Sequence, residues 1–311
     1  MKNIVFLKGT TGLNNAVDPI RIGHNEETGI ADLAEAYNVD VDDSGRISRR
    51  KGFVPTARTE SIHSMFAEKE YCLYMSGDSL YRLNPDYSRT GLRSYMTKGA
   101  VVDYAYINRE VYYLNGFESG IVKDNTSWPW VKPTVYYGVT TYRQFSSPPI
   151  GHLVCYYNGR MFIAQDNIVW FSEPYNYGAF DLARNYWLFP SRIKMLKAVS
   201  DGLFVSDSFN TFSLLFSKPD ECKQTVVYDY PAIEGSAAIG DATNLQLPES
   251  VVSVWTRVAG PVLLCTTNNG ICVGLTDGLF KNLTHDKLVC PTANKATAVI
   301  KDNTYICLLQ E

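Results

Sequence analysis

The chain holds one stretch whose residue types and spacing imitate a ligand-binding loop, Asp40-Val-Asp42-Asp-Ser44-Gly45. A helix-loop-helix calcium loop alternates oxygen ligands, turns on a glycine at its sixth position and closes on a bidentate glutamate at its twelfth. Gly45 fits the sixth place, but the twelfth is Lys51, and a cation cannot complete a calcium shell. The stretch therefore reads as a turn between strands. The four histidines, His24, His63, His152 and His285, have no His-x-x-x-His or His-Cys spacing, so no zinc set is nominated. Asp103, Asp166, Glu173, Asp181 and Asp207 stand near the ends of expected strands, and a glycosidase would need two such carboxylates brought face to face. Phosphate-cradling glycine loops and the Gly-x-Ser-x-Gly nucleophile turn do not occur. No catalytic, cofactor-binding or metal-binding residue is nominated.

Composition narrows the field further. The chain has 311 residues, 45% of them hydrophobic and 13% aromatic, with a formal charge of −3 and an isoelectric point near 5.9. Such a balance argues against a basic nucleic-acid-binding surface. One basic cluster, Arg46, Arg49, Arg50 and Lys51, suits a solvated hairpin or a subunit contact better than a phosphate tract. The seven cysteines (72, 155, 222, 265, 272, 290 and 307) lie mostly inside apolar runs, where a thiol acts as a small hydrophobe. The run Ile4 to Leu7 is too short for an export signal, and no segment reaches membrane-spanning length. A protein folded in the cytoplasm of the cell that makes it is expected.

Any site must be positioned by the repeating element between Gly151 and Phe216, where two copies of strand, tight turn, strand and third strand follow one another. Asn158-Gly159 and Asp201-Gly202 are dipeptides that accept the positive φ of a type I′ hairpin turn. Matching turn and apolar run gives six equivalent positions, Cys72, Tyr112, Phe162, Phe204, Leu263 and Tyr305, spaced 40 to 59 residues apart. That period is the one expected of a propeller blade, a small sheet that buries its faces only by stacking on its neighbours. Third strands follow at Ser79, Gly120, Asn167, Asn210 and Gly270, while the sixth unit reaches Glu311 without one. The isolated strand Asn3 to Gly9 is the natural donor to that open edge.

The expected fold is all-β, a propeller of about six blades whose last blade is closed by the N-terminal strand. Residues 1–60 supply the closing strand, an arm and a hairpin at Ala36 to Phe53, with a short helix expected at Ile30 to Ala36. Residues 61–311 form the body, with insertions at 131–151 and 217–248 as the leading interaction candidates. One strand, Thr225 to Tyr230, is expected inside the second insertion.

Several stretches, in order, resemble the tail nozzle or hub proteins of short-tailed bacteriophages, the group of packaged-DNA stabilisation proteins. They are GLNNAVDP (Gly12 to Pro19), EAYNVDVDDSGRISRRKGF (Glu35 to Phe53), GDSLYRLN (Gly77 to Asn84), VYYLNGFESGIV (Val111 to Val122), YYNGRMFIA (Tyr156 to Ala164) and VWFSEPYNYGAFDLARNYWLFPSRI (Val169 to Ile193). The resemblance implies a propeller assembled as a homo-oligomeric ring, commonly of six copies. That ring extends and closes the DNA exit channel below the portal and adaptor, and anchors tail fibres or spikes. It implies a structural virion protein of the tail, assembled in the host cytoplasm, with no turnover, no cofactor and no sequence-specific grip on the genomic DNA. A glycan-binding or glycosidic propeller acting on host surface polysaccharide is the alternative class, although the Ser-x-Asp-x-Gly-x-Thr-Trp turn of sialidases does not occur. A protein-interaction propeller of a cell is the third.

Overall fold

The computed structural model describes residues 9–25, 28–42, 44–52, 62–68, 71–133, 144–245, 247 and 260–310. Two small N-terminal units come first. Strands β1 (Gly9–Leu13), β2 (His24–Asn25) and β3 (Ile30–Leu33) form one sheet, and β4 (Val39–Val41) pairs with β5 (Ile47–Arg49) in the expected hairpin. Ile30 to Leu33 is thus a strand, not the start of a helix: its register against β1 supplies hydrogen bonds that a seven-residue helix could not match.

The body is a ring of five antiparallel blades, four of them four-stranded and the third five-stranded. Blade 1 is β6 (Ile62–Glu68), β7 (Tyr71–Ser76), β8 (Ser79–Leu83) and β9 (Arg89–Arg93). Blade 2 is β10 (Asp103–Ile107), β11 (Glu110–Leu114), β12 (Ser119–Lys123) and β13 (Thr126–Trp128). Blade 3 holds β14 (Leu153–Tyr157), β15 (Arg160–Gln165), β16 (Ile168–Glu173) and β17 (Asn176–Phe180), with β18 (Tyr186–Leu188) also paired to β16. Blade 4 is β19 (Met195–Ala198), β20 (Gly202–Ser206), β21 (Thr211–Leu215) and β22 (Lys223–Tyr228). Blade 5 is β23 (Ala238–Asp241), β24 (Pro261–Thr267), β25 (Gly270–Gly274) and β26 (Phe280–Asn282). A two-stranded hairpin, β27 (Lys295–Lys301) and β28 (Thr304–Gln310), stands where a sixth blade was expected.

The blade number is therefore five. The sixth unit retains the hairpin but, among the described residues, neither of the outer strands that complete a blade. The expected closing strand is Asn3 to Gly9, of which residues 3–8 lie outside the described residues. Gly9 pairs with Ile30 in the N-terminal sheet. The 217–248 stretch is less an insertion than shared blade material, since it supplies β22 and β23. Much of 131–151 (134–143) lies outside the described residues.

Each blade buries alternate residues against opposite neighbours, as a period of two dictates. Tyr104, Val111 and Tyr113 pack on blade 1 with Leu73, Met75 and Leu80. Ala105, Tyr112 and Leu114 turn the other way, onto Met161, Ile163 and Phe180 of blade 3. Phe162, Phe171 and Trp187 then meet Leu203, Val205, Phe212 and Phe216 of blade 4. Val262, Leu264 and Val273 of blade 5 pack on Ile300 and Tyr305 of the hairpin. Second strands are thus covered on both faces: all of Gly202 to Ser206 is buried. Three of the six sequence markers consequently fall one residue out of phase. Tyr112, Phe162 and Phe204 face the following unit, whereas for blade 5 the equivalent residue is Leu264 and for blade 1 it is Leu73. A shift of one residue reverses the face, and unbroken apolar strands carry no sign of it.

The tight turns are mostly of the expected kind. Asn158 and Gly159 have φ of 44° and 75°, and the pairs Asn108-Arg109, Asp124-Asn125 and Asp302-Asn303 are likewise both left-handed. Asp201-Gly202 departs from this, since neither residue is among those with positive φ and Val199 N–H donates to Gly202 O at 2.9 Å. Glycine is still required there, because a Cβ would lie 2.2 Å from the Leu214 carbonyl oxygen.

Candidate functional site

The first strands of the blades line the ring axis, and the polar residues they carry converge there. Asp103 opens β10 and Lys197 lies in β19, yet Lys197 Nζ reaches Asp103 Oδ1 at 3.3 Å. Blades 2 and 4 are not neighbours, so the pair must bridge the space their first strands enclose, past β14. Asp103 Oδ2 accepts the N–H of Val154 at 2.8 Å, tying the intervening blade to the same carboxylate. Both side chains are largely buried, at 22% and 18% exposed. A partly desolvated pair with a further backbone donor is stable only in such fixed geometry.

Beside this pair is a cavity of about 350 Å³, bounded by Phe66, Glu68, Tyr104, Tyr106, Cys155, Tyr156 and Lys197. The rings of Phe66 and Tyr104 stack with centroids 5.1 Å apart. Burial pushes the Tyr104 phenol well above its ordinary value, helped by the Asp103 carboxylate, so it is a neutral hydroxyl at any working pH. That hydroxyl is buried and has no hydrogen-bond partner. Burial likewise holds the Cys155 thiol protonated, which leaves it without thiolate reactivity.

The other carboxylates singled out in the sequence do not join this site. Asp207 is fully buried in the turn after β20, where Oδ1 accepts the N–H groups of Phe209 and Asn210 at 2.7 and 2.8 Å. Glu173 accepts from the Asn185 side chain at 2.8 Å, while the Asn185 N–H donates to Asp181 O at 2.8 Å. These two acids therefore share one hydrogen-bonded corner of blade 3. Asp166 is an exposed turn residue with φ of 52°. Asp42 closes its own turn, Oδ1 accepting from Ser44 N–H, Ser44 Oγ–H and Arg46 N–H. In the basic cluster, Arg50 Nε donates to Asp40 Oδ1 at 2.8 Å. Among the described residues no group of three or more His, Cys, Asp or Glu side chains could hold a metal, and no helix is long and apolar enough to cross a membrane. All seven cysteines are free.

A second feature is a rim of loops on the face where the first strands begin. Glu118, in the turn after β11, accepts from the Thr97 N–H at 3.0 Å and from the Thr97 hydroxyl at 2.7 Å. In that turn Gly116 N–H donates to Gly151 O at 2.7 Å, and His152 Nε2–H donates to Ile193 O at 2.7 Å. Ser208 N–H reaches Ser191 Oγ at 2.9 Å. Blades 1 to 4 are laced through these loops, whose tips expose Tyr95, Phe117, Ile150 and Phe209.

Asp103 is one of the five carboxylates the sequence places near strand ends, whereas Lys197, Glu68 and Tyr104 do not stand out in it. A signal was available, namely charged residues on the first strand of a unit, the strand nearest the axis.

No family model matches the chain, and no curated protein matches its sequence. Its likeness is to solved structures of propeller proteins. It is similar to the WD40 domain of Pan2 from Neurospora crassa, with 10% identity and a TM-score of 0.43 over 78% of this chain and 69% of that one. It is similar also to virginiamycin B lyase from Staphylococcus aureus, with 10% identity and a TM-score of 0.45 over 87% and 84% of the two chains. With PorZ of Porphyromonas gingivalis the identity is 8% and the TM-score 0.47, and the chain, matched over 81% of its length, spans 31% of that protein. What these neighbours share with the chain is the β-propeller fold.

Proposed function

We propose that the chain is a structural subunit of the tail nozzle of a short-tailed bacteriophage, working as one copy in a homo-oligomeric ring of the virion and not as an enzyme. The observation that carries this reading is the ordered resemblance from Gly12 to Ile193, whose longest stretch, Val169 to Ile193, builds the outer half of blade 3 and its aromatic core. The Asp103–Lys197 bridge refines it. Asp103 and Lys197 meet in the space the first strands enclose, beside a cavity of only about 350 Å³, so in this reading DNA passes through the opening between copies, and each propeller is a wall element. A mildly acidic chain suits such a wall, because each phosphate neutralised adds affinity and hence drag. The ring contacts the adaptor on one side and the fibres or spikes on another.

Mass spectrometry of purified particles, together with negative-stain images of the isolated protein, tests the proposal. A stoichiometric virion component that forms rings is the expected result. A chain missing from the particle, or one that releases reducing ends from host polysaccharide, would overturn it, the latter in favour of the glycosidic class.

A further inference from the structure

The charges around the axial cavity define a class of ligand. The Lys197 ammonium is already answered by Asp103 at 3.3 Å. Glu68, at the end of β6, lines the same cavity and forms no ion pair with any described residue. The remaining walls are the rings of Phe66, Tyr104, Tyr106 and Tyr156. One carboxylate with no counter-ion among the described residues, set among aromatic faces, favours an organic cation, since ring faces attract an ammonium and its methylenes gain by leaving water. The buried, unpartnered Tyr104 hydroxyl is more than nine-tenths inaccessible and offers an acceptor lone pair on the same wall. An organic anion would face the Glu68 carboxylate. A neutral sugar could donate hydroxyl hydrogen bonds to the carboxylate but would leave its charge unbalanced.

We propose that this cavity binds a small aliphatic amine of the diamine class, one ammonium against Glu68 and the methylene chain along the Phe66–Tyr104 stack. A volume of about 350 Å³ holds such a molecule and falls at the lower end of ligand pockets, roughly 300 to 1,000 Å³. The inference does not depend on the nozzle reading. An axial amine site is compatible with any role for the ring.

Isothermal titration of the full chain with 1,4-diaminobutane at low ionic strength tests it. Saturable one-site binding is expected, weakened at least about tenfold by Glu68→Gln through loss of a charge-assisted contact. Glu68→Asp, which keeps the charge, should retain binding within about threefold, and thermal melts of both variants check that they fold. Lys197→Met should tighten binding, because Asp103 then becomes a second acceptor for the far ammonium. The proposal is overturned by the absence of saturable heat, by binding indifferent to Glu68→Gln, or by weaker binding in a Lys197→Met variant whose thermal melt shows it folded.

Discussion

Lys197 and Asp103 are 94 residues apart in sequence and two blades apart in the ring, yet their side chains meet at 3.3 Å. The same carboxylate holds Val154 N–H of the blade between them. One aspartate therefore sets the mutual spacing of three sheets.

Removing that carboxylate leaves a partly buried ammonium and a backbone donor unpaired. Asp103→Ala should cost about 2 to 4 kcal/mol, measured by denaturant unfolding, a sum of the penalties for an orphaned donor and a broken charge pair. Asp103→Asn keeps an acceptor for Val154 and should cost less than the alanine variant. Equal losses in the two variants would show that the Val154 bond contributes nothing.

The blade 3 hairpin turn needs a left-handed glycine. Gly159, at φ of 75°, has the Tyr175 ring 3.1 Å from where a Cβ would sit. Gly159→Val should lower stability by about 1 to 2 kcal/mol from the backbone conformation alone. An unchanged melting temperature would mean that the turn relaxes at no cost.

Phe162 is fully buried and contacts Phe171, Trp187 and Phe216, with ring centroids 5.5 to 6.0 Å away. Phe162→Ala should cost about 3 to 5 kcal/mol, the usual range for emptying an aromatic site. Phe162→Leu should recover part of it. The unfolding free energies of the two variants, set beside that of the parent chain, give the answer.

His152 lies between blades 3 and 4, and burial lowers its pKa below the ordinary 6.5 despite the Ile193 hydrogen bond. The unfolded chain then takes up a proton that the folded chain refuses, so stability is fully present above pH 6.5 and falls as the pH drops below it. His63 is lowered for the same reason and adds to the slope. Melting curves between pH 7.5 and 5 should fall less steeply for His152→Gln than for the parent chain. Parallel curves would remove His152 as the cause.

The strand, turn, strand unit was legible in the sequence because its signals are local. Continuous apolar runs such as Arg160 to Gln165, bracketed by Asn158-Gly159 and Asp166-Asn167, specify hairpins from neighbouring residues alone. Blade number was not legible for the opposite reason. Thr304 to Gln310 has the same local pattern as the second strand of any blade, and only the pairing around it shows that it belongs to a lone hairpin. Facing direction was equally hidden, because Leu263 and Leu264 are both apolar and both buried, on opposite sides. The axial pair escaped because nothing in the local sequence around Asp103 refers to Lys197. Their meeting is a product of blade stacking through two intervening interfaces.

The laced rim has a mechanical consequence. Its links from the Thr97 loop through Glu118, Gly116–Gly151, His152–Ile193 and Ser191–Ser208 are joined end to end. A tug on any one loop is therefore passed along the whole arc like tension in a hoop. Each bond contributes only about 0.5 to 1.5 kcal/mol, so the apolar interfaces beneath bear most of the load and the rim fixes its path.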